Sequence, residues 1–225
     1  MPKLIKRKVT YESWNNLPID TRNSGCYEHI LERSYRLIHY CLSKRSKILL
    51  FRIDLNARSK HNENHNILKD NKILRQFLSF YTKKQQRKNI FWKYFWVKEE
   101  SSTRKSHYHL FICVDGSKYQ SAYRLQSDIF NEWIAFISRH SDGYEGIGDR
   151  CNKYKNEKGV SSYMLKRSER EGVEFKKCFK RVSYLAKENQ KKMAAQKNNR
   201  FGSSVVPKTF ETDRTMLSYS DKLRH

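Results

Sequence analysis

Residues 91–114 read FWKYFWVKEESSTRKSHYHLFICV. Two apolar, aromatic-rich runs flank a short polar loop, which is the pattern of a β-hairpin. The second run opens with His107, Tyr108 and His109. Along a strand, residues two apart face the same side, so both imidazoles project together. An in-register hairpin sets position 99 opposite position 107. Glu99 then joins the histidine face and Glu100 turns away from it. Two imidazoles and a carboxylate on one point make a ligand set for a divalent cation. A slip of one residue would exchange the two faces, so the register decides the reading. The bland alternative is a pair of half-buried strand histidines.

Working outward, residues 47–55 (KILLFRIDL) form a second strong strand. Phe51, Ile53 and Leu55 share one face, while Arg52 and Asp54 share the other. Two charges inside an apolar strand mark a sheet face that is partly open or functional, or else a cross-sheet ion pair. Apolar residues spaced three and four apart predict helices over 27–43, 67–87 and 119–139, and a short strand is expected over 144–150. His61 and His65 lie in a polar loop and read as solvated. After the first helix the order is strand, helix, strand, strand, helix, strand. That is the split β-α-β pattern of an α+β, ferredoxin-like domain with a central antiparallel sheet. Its third strand is central and adjoins the first, which puts the histidines mid-sheet with Arg52 and Asp54 nearby. One sheet face is expected to pack on helices and the other to be open to nucleic acid. We divide the chain into a loosely ordered basic lead-in (1–24), one domain (25–197) and a basic, irregular C-terminal arm (198–225).

The formal net charge of +24 on 225 residues points to a polyanionic partner, most simply nucleic acid. No apolar run reaches transmembrane length, so no membrane role is expected. The opening MPKLIKRKVTYESW has no apolar signal core, which favours a cytoplasmic location. The five cysteines form an odd, scattered set without C-x-x-C, as expected of reduced thiols rather than a disulfide framework.

A late helix is predicted from residue 178 to about 197. On it Tyr184 is flanked by Lys180, Arg181, Lys187 and Glu188, with Lys191 one turn further on. Cations around a tyrosine stabilise its phenolate and hold a phosphate, which suits attack on a phosphodiester. The alternative is a surface tyrosine on a basic, nucleic-acid-binding helix. Tyr163, in SSYMLK, is a second candidate nucleophile.

Together these residues resemble the His-hydrophobe-His (HUH) single-strand endonucleases of the rolling-circle replication-initiator type. Within that superfamily the chain is most similar to the inovirus gene-2-like proteins of phages, prophages and integrated elements. The resemblance is carried by FRIDL (51–55), WVKEESSTRKSHYHLFI (96–112), GIGDR (146–150), FKRVSYLAK (179–187) and FGSS (201–204). It implies a nuclease in a bacterial host cell that nicks and rejoins single-stranded DNA, or an origin hairpin, through a 5′-phosphotyrosine. It implies His107, His109 and Glu99 as ligands of Mg²⁺ or Mn²⁺, Tyr184 as nucleophile, and Lys187 steadying the phosphate or helping Tyr184 ionise. Arg52, Lys180, Arg181 and Lys191 are the expected DNA contacts. The chain carries no P-loop, so a host helicase and polymerase would supply strand separation and synthesis. The rival is a non-catalytic nucleic-acid binder or regulator on the same fold.

Overall fold

The computed structural model describes residues 8–61, 67–68, 71–100, 106–151, 162–188 and 200–212. It is an α+β fold built on one antiparallel sheet. The long strand β5 (Lys47–Ser59) is its spine. The hairpin strands β6 (Trp92–Glu100) and β7 (Ser106–Asp115) lie on one side, with β7 against β5. On its other side β5 pairs with two strands in succession. β9 (Ser162–Lys166) covers residues 47–51 and β8 (Tyr144–Asp149) covers residues 54–59. β10 (Phe201–Ser203) closes the far edge on β6. Among the described residues four α-helices complete the fold: α1 (Glu28–Lys44), α2 (Lys72–Arg87), α3 (Tyr123–His140) and α4 (Val173–Ser183).

Alternation along β5 divides the sheet into two apolar faces. Leu49, Phe51, Ile53 and Leu55 bury against α2 and α3, where Trp133 is fully enclosed. Ile48 and Leu50 bury on the opposite face with Phe95, Val97, Phe111 and Cys113, beneath α1 and α4. The expectation of one sheet face open to nucleic acid is therefore corrected. Apolar side chains line that face, and α1 and α4 take them out of water. Ile30, Leu31, Leu37, Ile38 and Leu42 of α1 are each at most 2 % exposed. At about 1.5–3 kcal/mol per buried side chain, this packing outweighs helix propensity in holding α1. Only the end of the face that carries Arg52, Asp54, Glu99, His107 and His109 lacks an apolar lining.

Several boundaries differ from the sequence reading. Residues 8–24, expected as a loose lead-in, pack on the domain. They form β1 (Val9–Thr10), β2 (Ser13–Trp14) and β3 (Leu17–Pro18). β1 pairs with β4 (Cys26–Tyr27) and β2 with β3. Trp14, Leu17 and Ile19 are buried beside α1 and α4. The second helix starts at Lys72 rather than 67, because Asn71 adopts a left-handed backbone with φ 63°. The late helix runs from Val173 to Ser183 rather than from 178 to 197. The Ser183 hydroxyl donates back to the Lys180 carbonyl and accepts the Asp20 amide, both at 2.7 Å. The chain then tightens into a 3-10 turn, Tyr184–Ala186, and Lys187 leaves it extended, bridged to Cys26. Residues 200–212 of the expected irregular arm start as an edge strand with Arg200 buried. Among the described residues, no helix is long and apolar enough to cross a membrane.

Candidate metal centre and its tyrosine

The hairpin pairs Glu99 with His107 and Val97 with His109, which is the register the sequence pattern requires. On the other side of β7, His109 lies opposite Asp54 of β5. Tyr108 points to the other face, fully buried against Trp96 in a T-shaped contact, so the two histidines are free to share one side. His109 Nε2 is 2.8 Å from Glu99 Oε2, and His107 Nε2 is 3.5 Å from the same oxygen. The two Nε2 atoms are 3.0 Å apart. These three ligand atoms form the one group among the described residues whose donors converge on a cation-sized point.

Asp54 settles which nitrogen of His109 faces that point. Its Oδ1 is 2.6 Å from His109 Nδ1. Arg52 Nη2 also approaches Nδ1, at 2.7 Å, but both it and a protonated Nδ1 are donors. Both therefore donate to Asp54: Arg52 clasps the carboxylate through Nε and Nη2, each at 3.0 Å, and His109 adds its Nδ1–H. That tautomer leaves a lone pair on Nε2, the form in which imidazole binds a metal. Lone pairs of His109 Nε2 and Glu99 Oε2 this close repel unless a proton or a cation lies between them. The two-nitrogen, one-oxygen set fits a first-row divalent cation such as Mn²⁺, and Mg²⁺ where phosphate oxygens complete the shell.

Burial alone would push the Asp54 carboxyl up. The hydrogen bond from His109, with the charge and hydrogen bond of Arg52, outweighs it and holds the group well below the usual carboxylate range. Arg52 is held up in turn: desolvation opposes its charge, and Asp54 more than offsets that. Arg52, expected to touch DNA, is thus 7 % exposed and engaged with Asp54. It clasps the carboxylate that His109 also touches. Its guanidinium carbon also lies 4.7 Å from the centre of the Tyr184 ring, a cation–π distance.

Tyr184 reaches this place because α4 is anchored by Phe175, Cys178, Phe179 and Val182, all buried. Its half-buried ring is 5.8 Å from the His109 ring, edge to face, and the Lys187 ammonium is 5.7 Å from its centre. Lys187, expected to steady the phosphate or help Tyr184 ionise, is 5 % exposed and paired with Asp20 at 3.1 Å. Its ammonium also donates to the Arg22 carbonyl. Burial raises the Asp20 carboxyl, but hydrogen bonds from Arg22 and Lys187 bring it down to about 2. The N-terminal segment thus ties down the turn that carries Tyr184.

Lys180 is exposed and Arg181 half-buried on α4, and Lys191 lies outside the described residues. Tyr163 stands on β9 opposite Leu50, 7 % exposed in the core between the sheet and α1. Sequence reasoning missed two participants. Asp20 sits in LPIDTR, where no local pattern marks it. Cys151 lies close to Asp54 and Arg52. Burial and the charge of Asp54 push its thiol up against the opposing pull of Arg52, and its Sγ donates to the Asp149 carbonyl at 3.7 Å. It is a neutral thiol there, not a thiolate ligand.

The family model described as YagK/YfjJ C-terminal domain matches residues 9–204, from the start of β1 to just past β10. No curated protein matches the chain. No solved structure matches it either.

Proposed function

The chain belongs to the YagK/YfjJ C-terminal domain family, and from that premise we propose that it is a metal-dependent DNA-nicking and strand-joining enzyme of the His-hydrophobe-His type. One observation carries this reading. Glu99, His107 and His109 converge on one point, and the Tyr184 ring packs against His109. The strand order β6-β7-β5-β8 supports a ferredoxin-like domain, since a split β-α-β unit places its third strand beside its first.

Glu99, His107 and His109 would hold Mg²⁺ or Mn²⁺, which when bound would polarise the scissile phosphate and offset the charge that develops on it. Tyr184 Oη attacks phosphorus as its proton passes to solvent. The P–O3′ bond breaks, and the 3′ oxygen leaves as a hydroxyl after taking a proton from water. The 5′ phosphate stays esterified to Tyr184, so a later 3′-hydroxyl can reverse the step. Arg52 over the ring face and Lys187 beside it favour the phenolate. Asp54 fixes the His109 tautomer. Surface cations such as Lys180 and Arg181 would hold backbone phosphates with strong salt dependence. The substrate is single-stranded DNA or an origin hairpin, with strand separation and synthesis left to a host helicase and polymerase.

The test is covalent capture. Labelled single-stranded oligonucleotides from the genetic neighbourhood of the chain are incubated with the protein, with Mn²⁺ or with EDTA. A Mn²⁺-dependent adduct that disappears in Tyr184→Phe and persists in Tyr163→Phe is expected. Tight binding with no adduct from any oligonucleotide would overturn the enzymatic reading. It would favour a non-catalytic regulator, a reading that the capture of Lys187 by Asp20 supports.

A further inference from the structure

A second cavity, of about 770 Å³, opens on the other face of the sheet from the metal centre. It lies between the C-terminal end of α2, the turn after β7 and the first turns of α3. Its volume is in the range of ligand sites, roughly 300–1,000 Å³. Two buried polar side chains line it: Tyr81, 2 % exposed, and Gln85, 4 % exposed. Neither the Tyr81 hydroxyl nor the Gln85 amide has a hydrogen-bond partner among the described residues. Neither group is a fully enclosed, unsatisfied polar atom, so both open into the cavity, within reach of a polar ligand.

The rim narrows the chemistry. Lys88, Lys118 and Arg124 are exposed there, with no ion-pair partner among the described residues. Lys84, by contrast, is spent on Glu132. Tyr119 and Tyr123 present rings at the same mouth, and Tyr123 is 62 % exposed with the Arg150 guanidinium 4.4 Å over it. An apolar ligand would leave Tyr81 and Gln85 unpaired. Bare phosphate would use the cations but neither the rings nor the buried amide. A nucleotide uses all three: phosphate on the rim cations, base against the tyrosine rings, and base edge on Gln85 and Tyr81. We infer that this cavity is a nucleotide-binding site, separate from the metal centre. It requires nucleotide binding only, so it stands whether or not Tyr184 cuts DNA.

The nucleotide comes either from a DNA strand crossing this face or from the free pool. Both sources are tested on the full chain with one photoprobe in two forms. One is a single-stranded oligonucleotide carrying 5-iododeoxyuridine, and the other is 5-iododeoxyuridine monophosphate. Irradiation should label Tyr119 or Tyr123, as mapped by mass spectrometry. The Lys118→Ala/Arg124→Ala variant, altered only at exposed positions, should cut the labelling by about tenfold or more. Two charge-assisted contacts are lost in it. Labelling should persist in Tyr184→Phe, which separates this site from the nicking reaction. Labelling by the oligonucleotide alone identifies a strand, and labelling by the monophosphate identifies a free nucleotide. If neither probe labels these tyrosines, or if the double variant labels like the wild type, the inference is wrong.

Discussion

The Asp20–Lys187 pair offers the sharpest test of how the Tyr184 turn is held. Both side chains are 7 % exposed, and the pair joins the N-terminal segment to the residue that follows the 3-10 turn. Asp20→Ala leaves the Lys187 ammonium buried with the Arg22 carbonyl as its remaining named acceptor. Removing one member of a buried pair costs about 3–5 kcal/mol, and the surviving carbonyl argues for the lower end, about 3 kcal/mol. At roughly 2–4 °C per kcal/mol for a chain of this size, the midpoint should fall by about 6–12 °C at pH 7. The other partner, Arg22, is 66 % exposed and adds little.

Part of that loss depends on pH, with a fixed sign. The Asp20 carboxyl falls from its ordinary 3.8 to about 2 on folding. A depressed carboxyl stabilises the fold above its unfolded value, and the gain is lost as pH falls through the folded value. The shift corresponds to about 2 kcal/mol. The stability gap between wild type and Asp20→Ala, from urea melts, should be constant above about pH 5. It should shrink by about 2 kcal/mol by pH 2. Asp20→Leu with Lys187→Met should recover most of the loss, because an apolar pair replaces the ionic one without leaving a buried charge. A gap below about 1 kcal/mol at pH 7, or one that does not change with acid, would refute the role given to this pair.

Three further outcomes follow from the site and the sheet. Asp54→Asn removes the carboxylate that orients His109, so Mn²⁺ affinity by calorimetry should fall about 10–100-fold, with the fold intact by circular dichroism. Arg52→Lys keeps the charge but loses the two-pronged clasp and the flat guanidinium over Tyr184, so Mn²⁺-dependent adduct formation should slow by about tenfold. Gly148→Ala puts a Cβ 2.1 Å from Phe130 Cδ1, where α3 crosses β8, and a thermal melt should show a loss of about 1–3 kcal/mol.

What the sequence made legible follows from strand alternation. The period of two placed Glu99, His107 and His109 on one face, because residues two apart on a strand share a side and pairing 99 with 107 aligns the two strands' faces. The same alternation in FRIDL set Arg52 and Asp54 side by side and near the histidines. Helical periodicity was less decisive. In VSYLAK, Val182, Leu185 and Ala186 keep an apolar spacing that a 3-10 turn satisfies as well as an α-helix, so the end of the helix at Ser183 was not readable. The stripes of α1 and α4 declared that each helix buries a face, but not that both cover the sheet face left open for DNA. Charge counting did not reveal the partners of two cations. Arg52 is expected as a DNA contact and Lys187 as steadying the phosphate or helping Tyr184 ionise, and each is held by a carboxylate, one two residues away along β5 and the other across the fold. A net charge of +24 points to a polyanion for the molecule as a whole. It assigns no single cation to that polyanion until the acids within reach of each have been found. Here the cations nearest Tyr184 are held by acids of the fold, Arg52 by Asp54 and Lys187 by Asp20.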